Sequence, residues 1–128
     1  MLRISVDNLD KLFEAISGKQ TLYIPADRND GAAEYKKFKS GMKMSEKLNT
    51  LRSAKDFFFP QTENLVDFKM EGKKIEVIDN RKESEDFVVF GVRACDARSF
   101  TILDKVFLVD PVDSYYKNRR DHGTIVTM

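Results

Sequence analysis

The apolar positions of the chain change period several times, and each change predicts an element. Leu9, Leu12, Phe13 and Ile16 recur at helical spacing, so 6–18 is predicted to be a helix, with Asp7 or Asn8 as its cap and Gly18 as a left-handed stop. Thr21 to Pro25 reads as a short strand closed by proline, Asn29-Asp30-Gly31 as a turn, and Tyr35 to Phe38 as a second, solvent-edged strand. The stretch through Met42 and Met44 has no period and reads as a mobile basic connection. Phe57-Phe58-Phe59 cannot lie on one face of any regular element, so that segment must be packed on more than one side. Residues 65–70 and 74–78 alternate across Glu71-Gly72-Lys73, which predicts a β-hairpin over about 65–78. Phe87-Val88-Val89-Phe90-Gly91-Val92 is apolar without alternation, as expected of a central strand covered on both faces.

After that strand, Phe100, Leu103 and Phe107 set a helical period over 95–107. Asp110 or Asp113 can cap a further short helix through Arg120, and 124–127 is a final strand. Strand, helix, helix, strand with short joins predicts a crossover to a parallel neighbour, hence a single α/β or α+β domain with a mixed sheet.

Composition then removes whole classes of function. The chain has 128 residues, one Cys and one His, which rules out an internal disulfide, a zinc ribbon and any iron–sulfur cluster ligated wholly from within. No apolar run approaches the ~20 residues of a membrane span, and 1–4 opens no signal peptide, so a soluble, cytoplasmic protein without membrane partners is expected. A net charge of +1 gives no global argument for nucleic-acid binding. Tyr115-Tyr116 with Lys117, Arg119 and Arg120 is too short a mixture of aromatics and cations to outweigh an ordinary amphipathic helix. Charge is nonetheless uneven. Between Tyr35 and Lys55 stand seven cations, Lys36, Lys37, Lys39, Lys43, Lys47, Arg52 and Lys55, against Glu46 alone, whereas 56–86 holds nine anions and five cations. The basic run reads either as a solvated face or as a docking surface for acidic partners.

The sharpest local chemistry is the turn Gly91-Val92-Arg93-Ala94-Cys95-Asp96-Ala97-Arg98. Ligands of open α/β sheets collect beyond the carboxyl ends of strands, where the next helix offers unpaired N–H groups. A helix N-terminus and neighbouring arginines favour the thiolate form of a cysteine, and Asp96 is placed to cap the helix or hold an arginine. No glycine-rich dinucleotide fingerprint, phosphate loop or His-rich pattern is present. A Cys–His nucleophile pair would have to join Cys95 to His122.

The order of segments carries a resemblance. Ser53-Ala54-Lys55-Asp56-Phe57-Phe58-Phe59-Pro60-Gln61-Thr62-Glu63, then Phe90 to Asp96, then Leu103-Asp104-Lys105-Val106-Phe107, then Asp113 to Arg120, is similar to the N-terminal domain of the anaerobic sulfite reductase and sulfhydrogenase beta-subunit family of 4Fe-4S dicluster proteins. The match runs from about residue 53 onward, with Ala94 where the family usually has proline. The resemblance implies that 1–128 is one domain from the N-terminal part of a longer iron–sulfur electron-transfer protein. Its further cysteines would lie beyond this sequence, so no cofactor is expected in this piece by itself. It also implies flavin- or cluster-containing redox subunits as partners. On this reading Cys95 is a first cluster ligand, Arg93 and Asp96 surround it, and Lys36, Lys37, Lys39, Lys43 and Lys47 dock the partner. The competing readings are a redox-inactive assembly module, with Cys95 only packing, and a small thiol enzyme. A buried Cys95 away from the strand end would favour the first and a thiol pKa near the free value would dismiss the second, while Cys95 and Met128 at one edge of the sheet would leave a shared cluster geometrically open.

Overall fold

In the computed structural model, which describes residues 4–47 and 49–128 and only the backbone at 82 and 83, the chain forms a three-layer α/β/α domain with a separate hairpin. The opening residues 1–3, part of the segment read for a signal peptide, lie outside the described residues. Helix α1 (Leu9–Ser17) leads into strands β1 (Thr21–Asp27) and β2 (Ala33–Lys37). The hairpin β3 (Val66–Glu71) and β4 (Lys74–Asp79) follows, then β5 (Phe87–Val92), helices α2 (Ala94–Phe107) and α3 (Ser114–His122), and β6 (Gly123–Thr127). The main sheet has the order β2-β1-β5-β6, antiparallel only at β1–β2.

Alternation along the strands divides the core in two. Leu22, Ile24, Val88 and Phe90 pack on Phe13 of α1 and Phe38, while Val89 and Val92 face Ala54, Phe58, Phe100 and Tyr116 under α2 and α3. The central strand is thus covered on both faces, as its unbroken apolar run predicts. Strict alternation would put Val92 with Val88 and Phe90. A bulge between Phe90 and Val92, with Gly91 at φ +76°, transfers Val92 to the face of Val89.

The three consecutive phenylalanines split their work. Phe57 meets Tyr23 and Tyr35, Phe58 meets Phe87 and Phe100, and Phe59 meets Phe107. Asp113 caps α3 by accepting from the backbone N–H groups of Tyr115 and Tyr116.

Three local expectations are corrected. Neither Asp7 nor Asn8 caps α1 with its side chain: a 3-10 turn over Val6–Asn8 precedes the helix, and the Asn8 side chain bonds no helix N–H. Gly18 ends α1 at φ −72°, in the right-handed region, so no left-handed stop is used. The connection after β2 is anchored rather than free. Met42 and Met44 pack on the α1-side core, and buried Ser45 donates its N–H to the Pro25 carbonyl (2.7 Å) and its hydroxyl to Asp27 (2.6 Å).

Candidate functional site

The carboxyl end of β5 is shaped by the Gly91 bulge. A Cβ there would stand 3.1 Å from Pro25 Cγ on the neighbouring strand, so β1 and β5 approach closely where the chain turns toward α2. Tyr35 Oη donates to the Gly91 carbonyl at 3.3 Å, fixing the bulge from β2. Burial first, and then the nearby Asp96 carboxylate, push the Tyr35 phenol above its ordinary value. Beside these groups lies a cavity of about 160 Å³, lined among others by Tyr35, Ser45, Lys47, Gly91, Arg93 and Met128.

Cys95 sits on the first turn of α2 and is exposed. Its side chain is therefore not part of this domain's own core. Arg93 and Asp96, the residues predicted to surround it, are each engaged elsewhere. The Arg93 guanidinium donates to the Lys47 carbonyl at 3.0 Å, and Asp96 accepts from Lys55 Nζ at 2.7 Å. Asp96 therefore neither caps α2 nor holds an arginine. Its partner comes from the 3-10 turn Ala54–Phe57, which it ties to the start of α2.

The chain's last residue reaches the same corner. Met128 N–H donates to the Val92 carbonyl at 3.3 Å, three residues before Cys95, a span of at most about 11 Å of chain. Cys95 and Met128 thus occupy one edge of the sheet. His122 occupies the other: it precedes Gly123, which pairs with Phe87 at the start of β5, and its Nδ1 lies 2.7 Å from Asp86. Five residues of strand, roughly 17 Å, separate the two ends, so a Cys95–His122 dyad is excluded. A second cavity of about 290 Å³ lies at the His122 edge, but its cations are matched, Arg81 by Asp79 and Arg119 by Glu63.

The basic run does not converge on one spot. Lys36 and Lys37 project to opposite faces of β2. Lys36 pairs with Glu34 (3.4 Å), and Lys47 pairs with Asp27 (3.5 Å) and the Gly31 carbonyl. Arg52 and Lys55 are matched by Asp56 and Asp96. Among the described residues, Lys37, Lys39 and Lys43 have no ion pair and are exposed. Lys37 closes β2 and lines a cavity with Thr21 and Asp86, near the start of β5 and away from Cys95. What the sequence did not reveal is the bracing of the Cys95 corner by Tyr35, Ser45 and Lys55. Only the positions of Gly91 and Pro25 in apolar strands hinted at a close approach there.

As a metal site the corner is partial. Among the described residues no group of three or more His, Cys, Asp and Glu is placed to hold a metal, and one exposed thiol fits one ligand position, not a complete cluster set. Among the described residues no helix is long and apolar enough to cross a membrane.

The chain is 36% identical over 77 residues to sulfhydrogenase 2 subunit beta of Pyrococcus furiosus, a stretch covering 60% of this chain and 22% of that protein. The chain therefore spans about a fifth of the length of the curated relative it matches. No family model and no solved structure matches it.

Proposed function

We propose that the chain is a domain of an iron–sulfur electron-transfer subunit in a hydrogenase- or reductase-type complex. On this reading it scaffolds the cluster-bearing part and docks redox subunits, and it carries no catalysis of its own. The supporting observation is the placement of an exposed Cys95 on the first turn of α2, at the sheet edge where Val92 closes β5 and accepts from Met128 N–H, in a chain similar to a sulfhydrogenase beta subunit. Cys95 is the one thiolate this domain contributes, the remaining ligands coming from chain or subunits outside it. Arg93 and Asp96 position the corner through Lys47 and Lys55 rather than by touching the sulfur. The unpaired Lys37, Lys39 and Lys43 supply docking charge.

The test is Cys95→Ser in the complex isolated anaerobically from its native cell. Iron and acid-labile sulfide are expected to fall by about one cluster's content, roughly four of each for a 4Fe-4S centre, with loss of its reduced spectroscopic signal. Unchanged metal content and spectrum would overturn the assignment.

A further inference from the structure

The hairpin β3–β4 stands apart from both halves of the core. Every residue of β3 is exposed, as are the first four of β4, and the hairpin is held near its base by Tyr115 Oη donating to the Leu65 carbonyl (2.9 Å) and Asn80 donating to Asn64 (3.2 Å). Its register places Phe68 opposite Val77 and Met70 opposite Ile75, with Val66 at the base. Directly opposed residues share a face, so these five form one apolar surface, bordered at the base by Asp79, which opposes Val66 and is paired with Arg81. Their exposures are 41% for Val66, 65% for Phe68, 70% for Met70, 64% for Ile75 and 59% for Val77. On the reverse face Lys69 opposes Glu76 and Glu71 opposes Lys74, opposite charges suited to water. The hairpin thus has a wet side already satisfied and a dry side that none of the described residues covers. Two strands alone are marginal, and a dry side on this scale marks an interface.

The geometry points to a second copy of this chain as the occupant, its hairpin laid face to face on the first to make a four-stranded sandwich. The paired positions Phe68–Val77 and Met70–Ile75 hold no charge or hydrogen-bonding side chain, and Asp79, opposite Val66 at the base, is neutralised by Arg81, so the patch can meet itself without like-charge repulsion or a stranded polar group, as a two-fold contact requires. The area is sufficient. Five such side chains, each with a full area of roughly 150–200 Å², present on the order of 500 Å² per copy, or about 1,000 Å² for the pair, the lower bound for a specific interface. A net charge of +1 leaves little overall repulsion between copies. Another exposed apolar pair, Ile102 and Val106 on α2, is too narrow to form such a contact by itself.

This self-association stands independently of any redox role and is read by analytical ultracentrifugation of the 128-residue chain over about 1 µM to about 1 mM. The expected mass rises from 14.8 kDa toward twice that value. Phe68→Lys and Ile75→Lys, one on each strand, should each cut the dimer fraction at least about tenfold. Melting of the four-stranded domain should not change, because neither residue touches its core. Lys69→Gln, on the wet face, should leave the dimer intact. A chain that stays at the monomer mass throughout, including one whose dry face captures a different protein, overturns the proposal. So does a dimer that survives both lysine substitutions.

Discussion

Two glycines, Gly123 against the core and Gly18 at an exposed helix end, take one chemical change with opposite expected signs. Gly123 opens β6 with ordinary extended backbone, φ −96° and ψ 124°, so an added methyl group meets no conformational penalty. Its cost is wholly steric: a Cβ would overlap Phe58 Cε1 and stand 2.7 Å from the Cζ atoms of Phe58 and Phe87. Neither ring can swing aside. Phe58 is fully buried, with Phe100 at 4.8 Å and Phe87 at 5.3 Å between ring centroids and the Arg120 guanidinium above it. Overpacking a close-packed core costs 1–3 kcal/mol, and a contact this short belongs at the upper end, about 3 kcal/mol for Gly123→Ala. At roughly 4 °C per kcal/mol for a chain of this size, Tm should fall by about 12 °C. Gly18→Ala is the control. At φ −72°, with its nearest neighbour 3.5 Å away, it should stabilise by about 0.5 kcal/mol and raise Tm by about 2 °C. In a Phe58→Leu background the Gly123→Ala penalty should shrink to less than about half, since the obstructing ring is gone. Scanning calorimetry on the parent and these four variants decides the matter. A Gly123→Ala protein melting within about 2 °C of the parent, or strict additivity with Phe58→Leu, would refute the steric argument.

Two further outcomes follow from the charges. Asp104 joins α2 to α3 by accepting from Arg120 Nε (2.9 Å), the second Arg120 nitrogen (3.0 Å) and Tyr116 Oη (2.7 Å), and the guanidinium holds its carboxyl below the usual carboxylate range. A depressed folded-state value means stability present above the ordinary carboxylate value and lost as pH falls through the lower folded one. Asp104→Asn should therefore cost about 1–2 kcal/mol at pH 7 in urea titrations, and the gap should close as pH falls through the lowered folded-state value; a gap that persists once the carboxyl is protonated would assign the loss to packing. Association with redox partner subunits should slow severalfold between about 0.05 and 0.3 M salt, a dependence that Lys37→Gln, Lys39→Gln and Lys43→Gln together flatten, and a salt-independent rate would remove those lysines from docking.

How much of this was legible in the sequence depends on the range of the interaction. The helices, the central strand, the hairpin and the parallel crossover are written in local periodicity, and each forms where the apolar spacing places it. The three phenylalanines announced packing on several sides, and their rings meet different neighbours. Terminal details failed for a short-range reason: Gly18 and Asn8 can each serve a cap geometry that this backbone does not adopt. Long-range partners were not legible. Asp96 beside Arg93 and Arg98 looks like an arginine anchor, yet the turn carrying Lys55 arrives from 41 residues away and takes the carboxylate. Gly123 reads as a spacer between helix and strand. Only the tertiary structure shows two aromatic rings seated where its side chain would be.

The exchange of partners at Asp96 bears on what the Cys95 corner favours. Had Asp96 paired with Arg93, one guanidinium charge beside the thiol would be cancelled. Because Lys55 satisfies Asp96, and Arg93 spends its hydrogen bond on the neutral Lys47 carbonyl, neither Arg93 nor Arg98 faces a carboxylate partner among the described residues. The Lys55–Asp96 pair is neutral as a unit, so the first turn of α2 keeps two uncompensated cations in addition to the positive end of the helix. An anion at this edge is therefore favoured, and a thiolate-ligated cluster is an anion, whereas a merely packed cysteine gains nothing from such a field. The same arithmetic sets the edges of β5 apart. At the far end Arg81, Arg119 and His122 each lie against a carboxylate, so that edge offers a small anion far less, despite its larger cavity. Cavity size points to the His122 end of the strand, whereas the cations without a carboxylate partner among the described residues lie at the Cys95 end.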